Sequence, residues 1–201
     1  MKGFKRIFLG VFMGLLAGWG LLTFVTPWLG TATFTVMGDE CAPQQALIFF
    51  QPDPYYNLDE QVCQHFAEGL AEHGFRIALY SLAEAPDPLP PADLLVFCAN
   101  TYNWAPDRRL TAFIQQLELT DQPTVALTVG AGSTDRAERV LHHRLRKQGA
   151  QVIATQAFWL MRPNDESRMG ESNVVVARDM ARNLGKAVGE RGVGLGSQVL
   201  R

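Results

Sequence analysis

The stretch ALIFFQPDPYYNLDE, residues 46–60, has the pattern of a strand that runs into a loop and then opens a helix. Its first five residues form a continuous apolar run, which is typical of a strand buried on both faces. The helix predicted over 59–73 is amphipathic, because Val62, Phe66 and Leu70 recur at four-residue spacing. The loop between strand and helix contains prolines and acids but no glycine. The ligand that such a junction binds depends on that composition.

The same alternation of apolar strand and amphipathic helix continues along the chain. Further strands are predicted over 76–81, 94–100, 124–129 and 152–160, and further helices over 108–117, 135–148 and 173–188. Continuous apolar strands that alternate with helices indicate a parallel sheet covered on both faces. The predicted fold class is therefore α/β, a three-layer sandwich around a five-stranded parallel sheet.

An uncharged segment from Ile7 to Leu29 precedes this domain. At about 1.5 Å per residue, a helix of this length crosses a hydrocarbon core of about 30 Å. Because Lys2, Lys5 and Arg6 lie before the segment, the positive-inside rule predicts a cytoplasmic N-terminus and a domain outside the cytoplasm. The predicted localisation is thus the cell membrane, with a single pass. The alternative is a cleaved signal peptide, which also exports the domain.

Four regions are predicted. They are a transmembrane anchor over 1–29, a linker over 30–45, the α/β domain over 46–188 and a flexible, glycine-rich tail over 189–201.

Three glycines of the anchor, Gly10, Gly14 and Gly18, are spaced by four and share one helix face. Such a face allows two membrane helices to approach closely, which predicts a homodimer. Glycine is also common in membrane helices that do not associate, so both interpretations stay open.

Charge and motif content exclude several functions. All 20 acids follow Met37, while three of the 18 cations lie at the start of the anchor, before its uncharged segment, so the domain is more acidic than the formal net charge of -2. An acidic domain argues against a nucleic-acid partner. The sequence contains no Walker loop, no nucleophile–base order and no metal-ligand spacing, so no hydrolase, transferase or metal site is predicted.

Residues 44–188 resemble a flavodoxin in local sequence as well as in the order of strands and helices. The segments ADLLVFCANTY at 92–102 and TVALTVGAG at 124–132 are similar to those at the third and fourth flavodoxin strands. The chain also resembles membrane-anchored flavodoxin-like proteins, whose first loop often begins with Gln-Pro, here Gln51-Pro52. This resemblance implies a sheet of order 2-1-3-4-5, with FMN bound above strands one and three. It further implies electron transfer with a redox partner.

Flavodoxins hold the FMN phosphate in their first loop with backbone N–H groups, hydroxyls and a glycine. The matching loop here, residues 51–57, contains prolines that lack the N–H donor. Asp53 and Asp59 also place negative charge where the phosphate would lie. Asn57 is either a remaining phosphate contact or the N-cap of the following helix.

The second loop carries Tyr102, Asn103 and Trp104, where flavodoxins place an aromatic side chain against the flavin ring. These residues are candidate ring contacts, or alternatively they cap the end of the sheet or form a partner surface. The third loop supplies Gly130, Gly132 and Ser133 as candidates for the ring edge. A strand-to-helix turn requires glycine and an N-cap in any case, so that alternative stays open as well.

Two functions therefore remain. One is an FMN-binding redox protein tethered to the membrane, for which most of the resemblance argues. The other is a flavin-free flavodoxin-like module outside the cytoplasm that binds a protein or small-molecule partner, which the composition of the first loop favours.

Three cysteines are present, Cys41, Cys63 and Cys98. In an exported domain of this fold, Cys63 and Cys98 lie on neighbouring elements and form either a disulfide or two buried free thiols. Cys41 lies in the predicted linker, where it could cross-link a dimer. No C-x-x-C motif is present, so a thioredoxin-like role has no support.

Overall fold

A computed structural model describes residues 2–25 and 31–191. The helices are α1 (Lys2–Val25), α2 (Leu58–Ala71), α3 (Arg108–Gln115), α4 (Asp135–Lys147) and α5 (Asn173–Arg191). The strands are β1 (Phe34–Met37), β2 (Gln44–Phe50), β3 (Phe75–Ser81), β4 (Leu94–Tyr102), β5 (Ala105–Pro106), β6 (Pro123–Gly130) and β7 (Gln151–Trp159).

The central sheet has the predicted architecture. Strands β3, β2, β4, β6 and β7 lie side by side in that order and are all parallel. Numbered among themselves along the chain, these strands have the order 2-1-3-4-5, which confirms the flavodoxin-like topology. The carboxyl ends of β2 and β4 therefore lie next to each other, at the point where the chain reverses the direction in which it builds the sheet.

Helices cover both faces of the sheet and close two apolar cores. One core includes Phe66 of α2, and the other includes Phe97 and Leu110 beneath α3 and α4. Helices α2 and α5 approach closely because Gly185 faces the main chain of α2, where an added Cβ would lie 2.2 Å from the Phe66 carbonyl oxygen. This close approach fixes the second half of α2, around Phe66 and Leu70, against α5.

The predicted linker over 30–45 contains a strand. Residues Phe34–Met37 form β1, which pairs antiparallel with β3 at the edge of the sheet. Phe34 is opposite Tyr80, and the two rings stack with centroids 4.8 Å apart. Since β1 runs antiparallel, it starts at the carboxyl end of the parallel sheet. Strand β1 has only four residues, and three of them are exposed. An apolar run this short does not predict a strand.

Strand β4 is two residues longer than predicted and turns back as the short strand β5. The two turn residues, Asn103 and Trp104, have φ values of 51° and 58°. A two-residue hairpin of type I′ needs positive φ at both central positions. The turn lifts Trp104 away from the sheet, and its side chain is 60% exposed.

Helix α1 is long and apolar enough to cross a membrane. Its window Phe4–Leu21 has a mean hydropathy of 1.4, and none of it is buried against the domain. The predicted span ends at Leu29, and residues 26–30 lie outside the described part of the chain. Most of the predicted tail, 192–201, lies outside it too, whereas α5 continues to Arg191, past the predicted end of the domain.

Candidate functional site

The carboxyl ends of β2, β4 and β6 enclose a pocket of about 190 Å³. Its walls come from the first loop, the end of β4, the end of β6 and the segment after β7, and consist of Asp53, Tyr56, Leu58, Asn100, Thr101, Tyr102, Val129, Gly130, Ala131 and Leu160. A wider groove of about 440 Å³ adjoins it between the β4–β5 hairpin and the β6–α4 loop, lined by Trp19, Thr101, Asn103, Trp104, Gly130, Ala131, Gly132 and Ser133.

The first loop is organised around the side chain of Asp53. Its Oδ1 accepts hydrogen bonds from the backbone N–H groups of Tyr55 (2.8 Å) and Tyr56 (3.0 Å). Its Oδ2 accepts a hydrogen bond from the hydroxyl of Tyr102 at 2.7 Å. Asp53 thus folds the loop back on itself and ties it to the end of β4.

A second carboxyl group, that of Asp59, lies buried beneath the loop. Its Oδ2 accepts hydrogen bonds from the backbone N–H of Asp53 (2.9 Å) and from the side-chain amide of Asn100 (2.9 Å). Asn100 also donates to the carbonyl oxygen of Gln51 at 2.8 Å. Burial raises the pKa of Asp59 to about 6, and the hydrogen bond from Asn100 offsets part of that rise.

These contacts test whether the loop fits a phosphate. Anion-binding loops present several free N–H groups to the ligand. Here the N–H groups of Asp53, Tyr55 and Tyr56 are bonded to the protein's own carboxyl groups, and Pro52 and Pro54 have none. The Asp53 carboxyl group accepts two of these N–H groups, as a bound anion would. The residues of this loop therefore do not fit the phosphate of FMN.

A second buried acid, Asp107, precedes helix α3 at the other side of the hairpin. Its Oδ1 accepts a hydrogen bond from the N–H of Leu110 at 2.8 Å, as an N-cap does. Its Oδ2 is buried without a hydrogen-bond partner among the described residues. Burial raises the pKa of Asp107 to about 7, and the nearby Asp59 adds to the rise.

Tyr102, Asn103 and Trp104, predicted as ring contacts, are separated by the hairpin. Tyr102 lines the pocket, and burial together with its hydrogen bond to Asp53 raises the pKa of its hydroxyl group far above the ordinary value. Asn103 and Trp104 line the groove instead. The side-chain oxygen of Asn103 accepts a hydrogen bond from the indole N–H of Trp19 in α1, at 2.9 Å.

The candidates of the third loop also line the groove, but their contacts include structural ones. A Cβ added at Gly130 would lie 2.8 Å from the methyl carbon of Thr134, so this position requires glycine for packing. Gly132 faces open space. The hydroxyl of Ser133 donates to Asp135 at 3.2 Å, while Thr134 occupies the N-cap position of α4 without a side-chain capping bond.

Asn57 occupies the N-cap position of α2 with φ at 48°, in the left-handed region. Its side chain makes no capping hydrogen bond, and Asn57 lines neither the pocket nor the groove. The side-chain cap that sequence suggested as one alternative is therefore absent, and the positive φ gives the residue a backbone role in the turn.

Sequence reasoning missed Asn100 and Asp107, which link the site together. Asn100 is the last residue of the strand predicted over 94–100, whose apolar pattern indicates burial. A polar residue at such a position indicates a hydrogen-bonded site, because buried amides need hydrogen-bond partners. Asp107 directly precedes a predicted helix, which is the signature of an N-cap. Neither signal alone indicates that the two residues lie close to Asp59.

The cysteines at the base of the site are free thiols. Cys63 and Cys98 are both buried in the same core, whereas Cys41 is exposed. Burial is the main cause that raises the pKa of the Cys63 thiol, and its contact with Cys98 adds to the effect. Of the two alternatives, the structure has the pair of buried thiols.

Sheet order, helix placement and the crevice define a flavodoxin-like fold. No protein-family model matches the chain, and a search of curated proteins finds no match either. Solved structures do match. The flavodoxin of Megasphaera elsdenii has a TM-score of 0.56 and 12% sequence identity, with 73% of this chain and 98% of that one covered.

Two further solved structures match at similar scores. A flavodoxin, WrbA-like protein from Agrobacterium tumefaciens has a TM-score of 0.54 and 15% identity over 73% of this chain and 96% of that one. The flavodiiron protein of Giardia intestinalis has a TM-score of 0.55 and 14% identity over 75% of this chain. The chain spans only 36% of that protein's length. At these identities the similarity establishes the fold.

Proposed function

We propose that this chain is a membrane-anchored flavodoxin-like binding module that does not hold FMN by its phosphate. The observation that carries the proposal is the filled first loop. The N–H groups of Asp53, Tyr55 and Tyr56 are bonded to the carboxyl groups of Asp53 and Asp59. A dianion would have to displace these carboxyl groups and would meet their charge at close range.

The remaining pocket suits a small ligand without a negative charge. Its polar groups include Asp53, Asn100, Thr101 and Tyr102, and Leu58 and Leu160 supply apolar surface. A volume of about 190 Å³ lies below the range of roughly 300–1,000 Å³ that drug-sized ligands occupy. We therefore propose a neutral or cationic ligand about the size of one or two rings.

Membrane anchoring through α1 is part of the same proposal, with the N-terminus in the cytoplasm. It is supported by the apolar window Phe4–Leu21 and by the cations at its N-terminal side. A reporter fused to the C-terminus tests the orientation. Activity of a reporter that works only outside the cytoplasm is expected, and activity only inside would reverse the orientation.

The runner-up function is FMN-dependent electron transfer, in line with the similarity to the two-electron reduced flavodoxin of Megasphaera elsdenii. The groove between Trp104 and Gly132 favours it, since an exposed indole beside an open glycine offers a face on which a flat ring can stack. In that case, contacts between the groove and the flavin ring would have to supply the binding affinity that the first loop does not supply through the phosphate.

A titration with two flavins separates the functions. Purified full-length protein in detergent is titrated with FMN and with riboflavin, which has the ring but no phosphate, and flavin fluorescence is followed. We expect no saturable binding of FMN at micromolar concentrations. Saturable FMN binding would refute the proposal and support electron transfer. Riboflavin binding without FMN binding would show that the first loop rejects the phosphate, but it would favour a flavin ring in the groove over the smaller ligand proposed for the pocket.

A variant strengthens this test. Asp53→Ser removes the carboxyl group that bonds the N–H groups of Tyr55 and Tyr56, so FMN affinity should rise relative to the unmodified chain. Asp135→Ser is the matched control, because it removes an exposed acid next to the groove and leaves the first loop intact. An equal effect of both variants would mean that general charge, and not the filled loop, excludes FMN.

A further inference from the structure

The anchor joins the domain at the edge of the sheet that carries the pocket. Thr33, just before β1, donates its N–H to the hydroxyl of Ser81 at 2.8 Å, and the N–H of Ser81 donates to the carbonyl oxygen of Thr33 at 2.9 Å. Ser81 is the last residue of the parallel strand β3. The chain therefore enters the domain at the carboxyl edge, defined here as the loops that follow β2, β4, β6 and β7.

The connection between α1 and this edge is short. From Val25 to Thr33 there are eight residue steps, which span at most about 28 Å when fully extended. Helix α1 also contacts the edge directly, through the hydrogen bond from Trp19 to Asn103. Trp19 lies within the apolar window Phe4–Leu21, so this contact joins the carboxyl edge to the apolar helix itself.

Exposed apolar side chains of the domain collect at the same edge. Within residues 31–191, the large hydrophobic side chains that are exposed on or next to these loops are Tyr55, Tyr56, Trp104, Met161, Met169 and Val175. The others that are exposed in this range, Phe34 and Val36, lie on β1. Met161 and Met169 are 70% and 72% exposed, so they contribute little to the stability of the fold itself.

This composition matches the interfacial region of a bilayer. Tryptophan and tyrosine concentrate at the headgroup level, where the ring meets apolar surface and the polar atom meets water. The guanidinium of Arg162, 4.5 Å above the ring centroid of Trp159, adds a cation at the same edge.

We propose that the carboxyl edge rests on the phospholipid surface where α1 leaves the membrane, with Trp104, Tyr56, Met161 and Met169 at headgroup depth. The pocket between Tyr56 and Tyr102 then opens towards the lipid interface and not towards bulk water. This inference rests on the membrane anchoring of the proposed function. Because the edge is aromatic, zwitterionic lipid is expected to suffice.

Depth-dependent quenching of single labels tests the orientation. Full-length protein is reconstituted into phosphatidylcholine vesicles that contain lipid spin-labelled at the headgroup. A fluorophore is attached at Met161→Cys or Met169→Cys in a Cys41→Ser background. The matched control is native Cys41, which is exposed in the turn between β1 and β2, at the opposite edge. We expect quenching several-fold stronger at positions 161 and 169 than at Cys41.

Two results would overturn the inference. One is equal or weaker quenching at positions 161 and 169 than at Cys41. The other is strongest quenching of a label at His143→Cys, which would place the basic face of α4 with Arg139 and Lys147, and not the carboxyl edge, at the lipid surface. Retention of the protein in the vesicles after alkaline washing is measured on the same samples. Loss of the protein from the vesicles would show instead that the anchoring itself fails.

Discussion

The buried carboxyl group of Asp107 predicts an unusual dependence of stability on pH. Its pKa in the folded protein is about 7, against 3.8 for the ordinary side chain. The folded protein therefore holds a proton at pH values at which the unfolded chain has lost it. The resulting stabilisation is fully present below pH 3.8 and is lost as the pH rises through about 7.

The magnitude follows from the separation of the two pKa values. One pH unit corresponds to about 1.4 kcal/mol, so the full effect of Asp107 is about 4 kcal/mol. Between pH 5 and pH 8 the free energy of unfolding should fall by about 3 kcal/mol through Asp107. Asp59, with a pKa of about 6, adds about 1 kcal/mol over the same range. Asp165, whose pKa is lowered, acts at more acidic pH.

The variant Asp107→Asn isolates this contribution. Asparagine keeps a side-chain oxygen for the N–H of Leu110 but carries no charge at any pH in the range. Urea unfolding of the full chain in detergent, followed by near-ultraviolet circular dichroism at pH 5 and pH 8, measures the difference. The variant should lose about 3 kcal/mol of the pH dependence and exceed the unmodified protein in stability at pH 8.

The exposed acid Asp135 provides the control, since Asp135→Asn should leave the pH dependence unchanged. The reasoning would be refuted by an unmodified protein that is more stable at pH 8 than at pH 5. It would also be refuted if Asp107→Asn and Asp135→Asn had the same effect.

Two substitutions test the packing around the site. Tyr102→Phe removes the hydrogen bond to Asp53 and should lower the free energy of unfolding by about 1–2 kcal/mol. Tyr55→Phe, at an exposed ring, should leave it unchanged. Equal free energies of unfolding for the two variants in urea titrations would contradict a stabilising hydrogen bond between Tyr102 and Asp53. Gly185→Ala places a Cβ against the main chain of α2 and should cost at least about 2 kcal/mol, while Gly132→Ala meets open space and should be neutral in the same assay.

The parallel core was predictable because its strands are continuous apolar runs. Val96 and Phe97 in β4 and Leu127 in β6 belong to runs that no other element of this length would explain. Strand β1 was not predictable, because its pairing with β3 depends on a stack between Phe34 and Tyr80 that local sequence does not contain. The β4–β5 hairpin was not predictable for a related reason. A positive φ at Trp104 is energetically costly, and the surrounding structure imposes it.

The site was predictable in place but not in detail. The prolines and acids of residues 51–57 already argued against a phosphate. Nothing in the sequence indicated that Asp53 bonds the N–H groups of its own loop, or that Asn100 joins Asp59 to Gln51. The Asn100 contacts link the end of β4 to the segment after β2, so they arise only when the sheet is assembled, whereas the Asp53 bonds are local to the first loop.

The central claim is that the protein's own carboxyl groups fill the anion site of the first loop. The most direct test follows the backbone amide resonances of Asp53, Tyr55 and Tyr56 by NMR while FMN is added to the labelled protein. These N–H groups are bonded to carboxyl oxygens at 2.8–3.0 Å, so their chemical shifts should stay unchanged at millimolar FMN. Saturable downfield shifts of these three amides would show that they bind the phosphate and would contradict the account.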